Sequence, residues 1–111
     1  MLATLSALAE PNRLHIVELL RKRPRPVGEI VERLRLNQPQ VSKHLRVLSN
    51  AGLVKVQSLA QQRIYELRPQ PFKELNDWLE SYRHFWNESF DRLDDYLHTL
   101  QNKEKKHERT N

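Results

Sequence analysis

The sequence predicts a small, mainly α-helical domain that carries one β-hairpin. Its 111 residues are enough for a single hydrophobic core. Apolar residues recur at helical spacing in about five segments, and two short runs after the fourth segment alternate apolar and polar residues as strands do. The predicted order is therefore four helices, two strands and one long final helix.

Local signals mark where the first four helices begin and end. A proline in its first turn suits the second helix, which stops at a pair of prolines because proline cannot continue a helix. Asn37 and Gln40 have the spacing of a capping box at the start of the fourth helix, and Gly52 can take the left-handed conformation that closes it. The predicted helices cover residues 2–9, 10–22, 27–34 and 38–51.

The second half of the chain is predicted as a hairpin and one long helix. Two alternating strands joined by a polar loop make the hairpin over residues 53–67. A proline-rich break at 69–71 precedes a helix over 72–103. We expect residues 1–101 to form one domain and the charged residues 102–111 to be a disordered tail.

Charge is divided unevenly along the chain. Residues 1–70 hold twelve Lys and Arg against five Asp and Glu, a net charge of +7, whereas residues 71–111 carry −2. A basic first part suits a polyanionic partner, and the mildly acidic second part suggests a different task.

The composition also excludes several classes of protein. There is no cysteine, so disulfides, thiolate metal sites and a cysteine nucleophile are ruled out. No apolar run approaches membrane-spanning length and the N-terminal residues lack the basic flank of a signal peptide, so we expect no membrane partner and a cytoplasmic location. Without a Gly-rich phosphate loop or an ordered catalytic set, we expect no cofactor, no catalytic residues and no enzyme.

The third and fourth helices predict a DNA-reading unit. A short turn at 35–38 joins them, which is the layout of a helix-turn-helix whose second helix enters the major groove. No acidic residue occurs from 33 to 65, so this surface would not repel phosphates. Amide and basic side chains can pair with base edges, and hydroxyls can hold phosphate. The predicted DNA-contacting residues of the fourth helix are Gln38, Gln40, Ser42, Lys43, His44 and Arg46.

The hairpin is predicted to add a second contact to double-stranded DNA. A two-stranded wing after a helix-turn-helix can lie beside phosphates or the minor groove, which gives a winged helix-turn-helix. The candidate wing contacts are Lys55, Gln62 and Arg63.

Three segments of the chain resemble a known family of regulators. Residues 8–20, 27–31 and above all 37–54 are similar to the signature segments of the ArsR family of bacterial winged-helix repressors. The resemblance implies a homodimer that blocks a promoter and leaves it when an inducer, unknown here, arrives. It also gives Ser42, Lys43 and His44 the DNA-contact role. The wing departs from the family because its loop lacks the glycine often found there.

The long final helix is predicted to form the dimer interface with the first helix. Its apolar and aromatic stripe is too large for one small domain to cover, so pairing with a second copy would bury it. The alternative is that the stripe packs only on the first helix. The predicted interface residues are Leu5, Leu8, Leu75, Leu79, Tyr82, Trp86, Leu93 and Leu97.

A cofactor-binding or protein-adaptor role for the aromatic final helix remains possible beside DNA binding, and two alternatives to an inducer-controlled repressor remain open from the sequence. One is a metal-responsive repressor, because some members of the family hold zinc-like ions on the last helix, and His84, Asp95 and His98 fall near that spacing. Tyr82 stands where the pattern needs a carboxylate, so one ligand of a tetrahedral set is missing and we expect no metal. The other is a sequence-blind DNA-binding protein, which would need no base-reading side chains.

Overall fold

The computed structural model describes residues 1–109, with side chains described through residue 104. It contains six helices and a three-stranded antiparallel sheet, which confirms the mainly helical fold with a hairpin wing. In chain order the elements are α1 (Leu2–Leu8), α2 (Pro11–Lys22), β1 (Arg25–Pro26), α3 (Val27–Leu34), α4 (Gln38–Asn50), β2 (Val54–Leu59), β3 (Gln62–Leu67), α5 (Pro69–Glu80) and α6 (Arg83–Arg109).

The chain divides into two compact units, Met1–Asn76 and Asp77–Asn111. The first unit contains the hydrophobic core, where one face of each helix α2 to α4 meets the start of the hairpin. Burying these side chains supplies most of the driving force for folding this unit. The fully buried large residues are Ile16, Ile30, Val41, Leu45, Leu48, Leu53 and Val54.

A third strand, β1, was not predicted. Arg25 and Pro26 pair antiparallel with Tyr65 and Ile64, so the sheet order is β1-β3-β2. Two residues are too few to display the period-two pattern of a strand. The prolines at 24 and 26 indicate only that the preceding helix ends. Proline is tolerated here because β1 is an edge strand.

The single helix predicted over 72–103 is wrong, because the structure divides it into α5 and α6. The amides of Ser81 and Tyr82 bond to the carbonyls three residues before them, and the Ser81 hydroxyl donates to the carbonyl oxygen of Trp78 over 2.5 Å. These tighter turns end α5. Neither glycine nor proline occurs at this position, and the helical spacing of apolar residues runs through it. The sequence therefore contains no signal for the break.

The end of α6 overlaps the predicted tail. The helix continues to Arg109, whereas residues 110–111 of the predicted tail lie outside the described residues. Disorder of 102–111 therefore stays a prediction. In the described part of the chain, no helix combines the length and apolarity that crossing a membrane requires.

Candidate nucleic-acid interface

The turn between α3 and α4 positions the candidate reading helix. Arg35 ends α3 in the left-handed region, at φ 56°, and its amide donates to the carbonyl of Val31 over 3.0 Å. The Asn37 side chain accepts from the Gln40 amide over 2.9 Å, and the Gln40 side chain accepts from the Asn37 amide over 3.1 Å. The predicted capping box is therefore confirmed, and it fixes where α4 begins.

One face of α4 is buried and the other is open. Val41, Leu45 and Leu48 are buried in the core, as the predicted apolar stripe requires. Ser42, Lys43 and Arg46 lie exposed on the outward side. Neither Lys43 nor Arg46 forms an ion pair with any described residue, so both charges are available to an external anion.

Two predicted contact residues of α4 have internal roles. Gln40 is exposed, but its side-chain oxygen is occupied by the capping box, which leaves its amide nitrogen as the group able to meet a base. His44 has a side chain that is only 18% exposed and lies 3.7 Å, from Nδ1 to Oε2, from the carboxylate of Glu10. The structure therefore places Gln40 on the candidate interface and turns His44 toward α2.

The wing is a regular two-residue hairpin. β2 and β3 pair from Val54 with Leu67 to Leu59 with Gln62, and Ala60 in the connecting turn has φ 56°. A left-handed conformation is the usual place for glycine, and alanine occupies it here. Gln62 and Arg63 are exposed beside this turn.

Lys55 differs from Arg63 in its surroundings. Lys55 is opposite Glu66 on the neighbouring strand, and its Nζ lies 3.0 Å from the Glu66 carboxylate. Arg63 forms no ion pair with a described residue. We therefore expect Arg63 to attract a phosphate more strongly than Lys55.

A shallow groove joins the wing to the start of the reading helix. It has a volume of about 380 Å³, and its walls come from the start of α3, from Gln38 and from the wing residues Gln61, Gln62 and Arg63. Residues distant in sequence are thus brought to one surface. The hairpin turn places Gln61, at the tip of the wing, in this groove.

An ion cluster that the sequence did not reveal lies at the base of the wing. Arg25 is buried, and it donates to Glu29 over 2.6 Å and to the carbonyl oxygen of Leu19 over 3.1 Å. Arg23 also donates to the Glu29 carboxylate. Burial alone would raise the pKa of Glu29, but the hydrogen bonds and charges of Arg23 and Arg25 outweigh it and hold that pKa below its ordinary value.

The predicted dimer residues lie in surroundings of two kinds. Leu5 and Leu8 on α1, Leu75 on α5 and Trp86 on α6 are half-buried. The remaining predicted residues are exposed: Leu79, Tyr82, Leu93 and Leu97. The aromatic rings of Trp78 and Tyr82 meet edge to face, with centroids 5.4 Å apart. Their assignment to a dimer interface stays a prediction.

The two histidines among the candidate metal ligands of α6 are paired with neighbours on the same helix. His84 Nε2 lies 3.1 Å from Glu88, and His98 Nε2 lies 3.6 Å from Asp94. His84 and Asp95 are separated by about 16 Å of helix, so one chain cannot bring them to a single ion. Among the described residues no three metal-ligating side chains gather at one place. The expectation of no metal stays a prediction, because a dimer could bring two helices together.

Comparison with known proteins decides the family. The family model described as "Bacterial regulatory protein, arsR family" matches residues 10–56, which span α2, α3, α4 and the start of the wing. The HTH-type transcriptional regulator Rv2034 of Mycobacterium tuberculosis is 39% identical over 80 residues, covering 72% of each chain. The chain belongs to the ArsR family of bacterial regulatory proteins.

Other ArsR-type regulators agree in sequence and in fold. The HTH-type transcriptional regulator NmtR of Mycobacterium tuberculosis is 43% identical over 65 residues, which are 59% of this chain and 54% of NmtR. The chain thus spans about half the length of NmtR. The solved structure of HlyU from Vibrio cholerae has a TM-score of 0.63 at 33% identity, with 74% of this chain and 89% of HlyU covered. These relatives are transcriptional regulators, which confirms the prediction of a regulator and not an enzyme.

Proposed function

We propose that this ArsR-family regulator is a homodimeric repressor that reads an inverted-repeat operator through α4 and holds the DNA backbone with its wing. The observation that carries the proposal is the outward face of α4, where Ser42, Lys43 and Arg46 are exposed beside a wing and no acidic residue intervenes from 33 to 65. Such a face can enter a major groove without repelling phosphate.

Sequence-specific reading is favoured over sequence-blind binding by the side chains on this face. Arginine can donate two hydrogen bonds to guanine, and the amide of Gln38 can pair with adenine. Gln40, whose oxygen is held in the capping box, can donate one hydrogen bond to a base from its amide nitrogen. A protein that recognised only the backbone would need charge alone. The capping box fixes where α4 begins, and with it the backbone from which Gln38 and Gln40 extend.

A homodimer is supported by the apolar surface of α6. Phe85 is 66% exposed, Phe90 64% and Tyr96 61%, and leucines on the same helix are also exposed. Monomeric proteins rarely leave so many large apolar side chains together in water. A second copy would cover them, and its twofold axis would present two α4 helices to two major grooves.

Repression is the favoured direction of control. The relatives include both repressors and activators. SmtB of Mycobacterium tuberculosis is named a transcriptional repressor, and HlyU of Vibrio cholerae is named a transcriptional activator. A dimer that lies on two major grooves through α4 and its wings would occupy promoter DNA, so blocking the promoter is the simpler action.

Selection of bound duplexes from a random pool tests the proposal directly. We expect the enriched sequences to share an imperfect inverted repeat, with half-sites separated by about one helical turn, roughly 10 base pairs, or a multiple of it. Enrichment of no common sequence, with binding that depends only on salt, would establish the sequence-blind alternative. A single unrepeated half-site would contradict the dimer.

A further inference from the structure

His44 occupies an unusual place for a residue on a DNA-reading helix. Its side chain is largely buried, and its Nδ1 is enclosed and has no hydrogen-bond partner among the described residues. Buried polar nitrogens are normally paired. The Glu10 carboxylate lies close to it, with 3.7 Å between Nδ1 and Oε2. A shift of about 0.7 Å would bring this pair to an ordinary hydrogen-bond length.

Glu10 already has a structural task at that point. The same oxygen, Oε2, accepts from the backbone amide of Arg13 over 2.9 Å and thereby caps the start of α2. The Arg13 side chain in turn donates from Nε to the carbonyl oxygen of Ala7 over 2.7 Å, near the end of α1. The Glu10 carboxylate thus caps α2 and faces His44 of α4, while Arg13, whose amide it accepts from, reaches back to the end of α1.

We propose that His44 is a positioning residue, which holds α4 against the start of α2 through Glu10 and does not itself touch DNA. This inference rests on the proposed function, since the positioned helix is the one proposed to read the operator. It reverses the DNA-contact role given to His44 from the sequence. It also makes Glu10, an acidic residue outside the helix-turn-helix, necessary for DNA recognition.

Matched substitutions separate positioning from contact. Asparagine at 44 places an amide nitrogen near the position of Nδ1, whereas glutamine places one near Nε2. We expect His44→Asn to keep operator affinity within about threefold of the natural chain, and His44→Gln and His44→Ala to lose about tenfold. Glu10→Ala, which removes both the acceptor facing His44 and the cap of α2, should lose at least as much. His44→Ala should then cost little more in the Glu10→Ala background, because the acceptor is already absent.

The salt dependence of binding gives the second readout. A residue that contacts phosphate makes binding less dependent on salt when it is removed, by about one unit of slope for each phosphate it neutralises. The His44 variants should keep the natural slope, while Arg63→Ala, the phosphate-contact control, should lower it. The inference is overturned if His44→Ala flattens the slope as Arg63→Ala does, if asparagine rescues no better than glutamine, or if the effects in the double variant simply add.

Thermal unfolding without DNA keeps the two proposals apart. The unfolding midpoint of His44→Asn should lie above that of His44→Gln, and the midpoint shifts of Glu10→Ala and His44→Ala should be less than additive. If the natural chain binds no duplex DNA, the proposed function fails. The unfolding midpoints of the single and double variants at positions 10 and 44 then still decide whether His44 contacts Glu10. Additive shifts would overturn the contact.

Discussion

Arg25 and Glu29 form a largely buried ion pair at the root of the wing, with 2.6 Å between Nη1 and Oε1 and an Arg25 side chain that is only 5% exposed. The Nε of Arg25 also reaches the carbonyl oxygen of Leu19 near the end of α2. Since the backbone of Arg25 pairs with Tyr65 on β3, this one residue joins α2, α3 and the hairpin. We therefore expect Arg25 to hold the wing against the helices.

Replacing Arg25 with methionine should lower the free energy of unfolding by about 2 kcal/mol, because the change leaves the Leu19 carbonyl and the Glu29 carboxylate without their buried partner. Arg23→Met is the matched control. Arg23 contacts the same carboxylate but has a side chain that is 54% exposed, so we expect a change below about 0.5 kcal/mol. Urea denaturation measures both, and equal destabilisation would contradict the distinction.

The lowered pKa of Glu29 predicts how stability varies with acidity. A carboxyl whose pKa is lower in the folded chain binds protons more weakly there, so its stabilisation is complete above the ordinary value of 4.5 and is lost as the pH falls through the folded pKa. Glu29→Gln should therefore melt below the natural chain at pH 7, and the gap should narrow as the pH falls below 4.5 and close once the pH is below the lowered pKa of Glu29.

The matched control for that experiment is Glu32→Gln, which changes an exposed carboxyl of the same helix that forms no ion pair with a described residue. Its melting temperature should follow that of the natural chain across the whole pH range. A gap between Glu29→Gln and the natural chain that is constant from neutral to strongly acidic pH would show that the charge of Glu29 is not responsible.

The sequence was sufficient for the helix-turn-helix because each of its signals is local. The capping pair Asn37 and Gln40, the buried stripe of α4 and the left-handed Gly52, at φ 78°, were all predicted and are all present. What the sequence did not reveal depends on tertiary contacts. The strand β1 exists only because β3 lies beside it, and the side chain of His44 turns inward because Glu10, far earlier in the chain, is folded against it.

The turn of the wing offers a stabilising substitution. Ala60 holds φ at 56°, where a Cβ atom is strained and glycine is not. We expect Ala60→Gly to raise the free energy of unfolding by about 0.5–1 kcal/mol. Gln61→Gly is the control, since Gln61 has no positive φ and should lose stability through the added freedom of the unfolded chain. Denaturation curves in which both variants lose stability would contradict the strain at Ala60.

Disrupting the stripe on α6 should separate the proposed dimer. A double change of Trp86 and Leu93 to glutamate places charges in the predicted interface, and we expect monomers at micromolar concentration in sedimentation. His84→Glu provides the control, because its side chain is 87% exposed and lies on the opposite side of the helical repeat. A folded natural chain that sediments as a monomer at the same concentration would contradict the dimer itself.

The last prediction separates the roles of α4 and the wing on DNA. Arg46 is exposed on α4 and unpaired among the described residues, so Arg46→Ala should reduce discrimination between operator and scrambled duplex by about 1–3 kcal/mol for each base that it reads. Gln40→Ala should do likewise, but it also removes half of the capping box, which makes Arg46 the cleaner test.

Wing variants should instead weaken binding to both duplexes alike. Arg63→Ala should lower the salt slope by about one unit for each phosphate that the arginine neutralises. Lys55→Ala should lower it less, since Glu66 already neutralises part of that charge at 3.0 Å. Lys73→Ala, which removes an exposed lysine of α5 outside α4 and the wing, controls for net charge.

Binding of each variant to operator and scrambled duplex at several salt concentrations measures both the discrimination and the salt slope. If the α4 variants weakened both affinities equally while the wing variants alone reduced discrimination, the two roles would have to be exchanged.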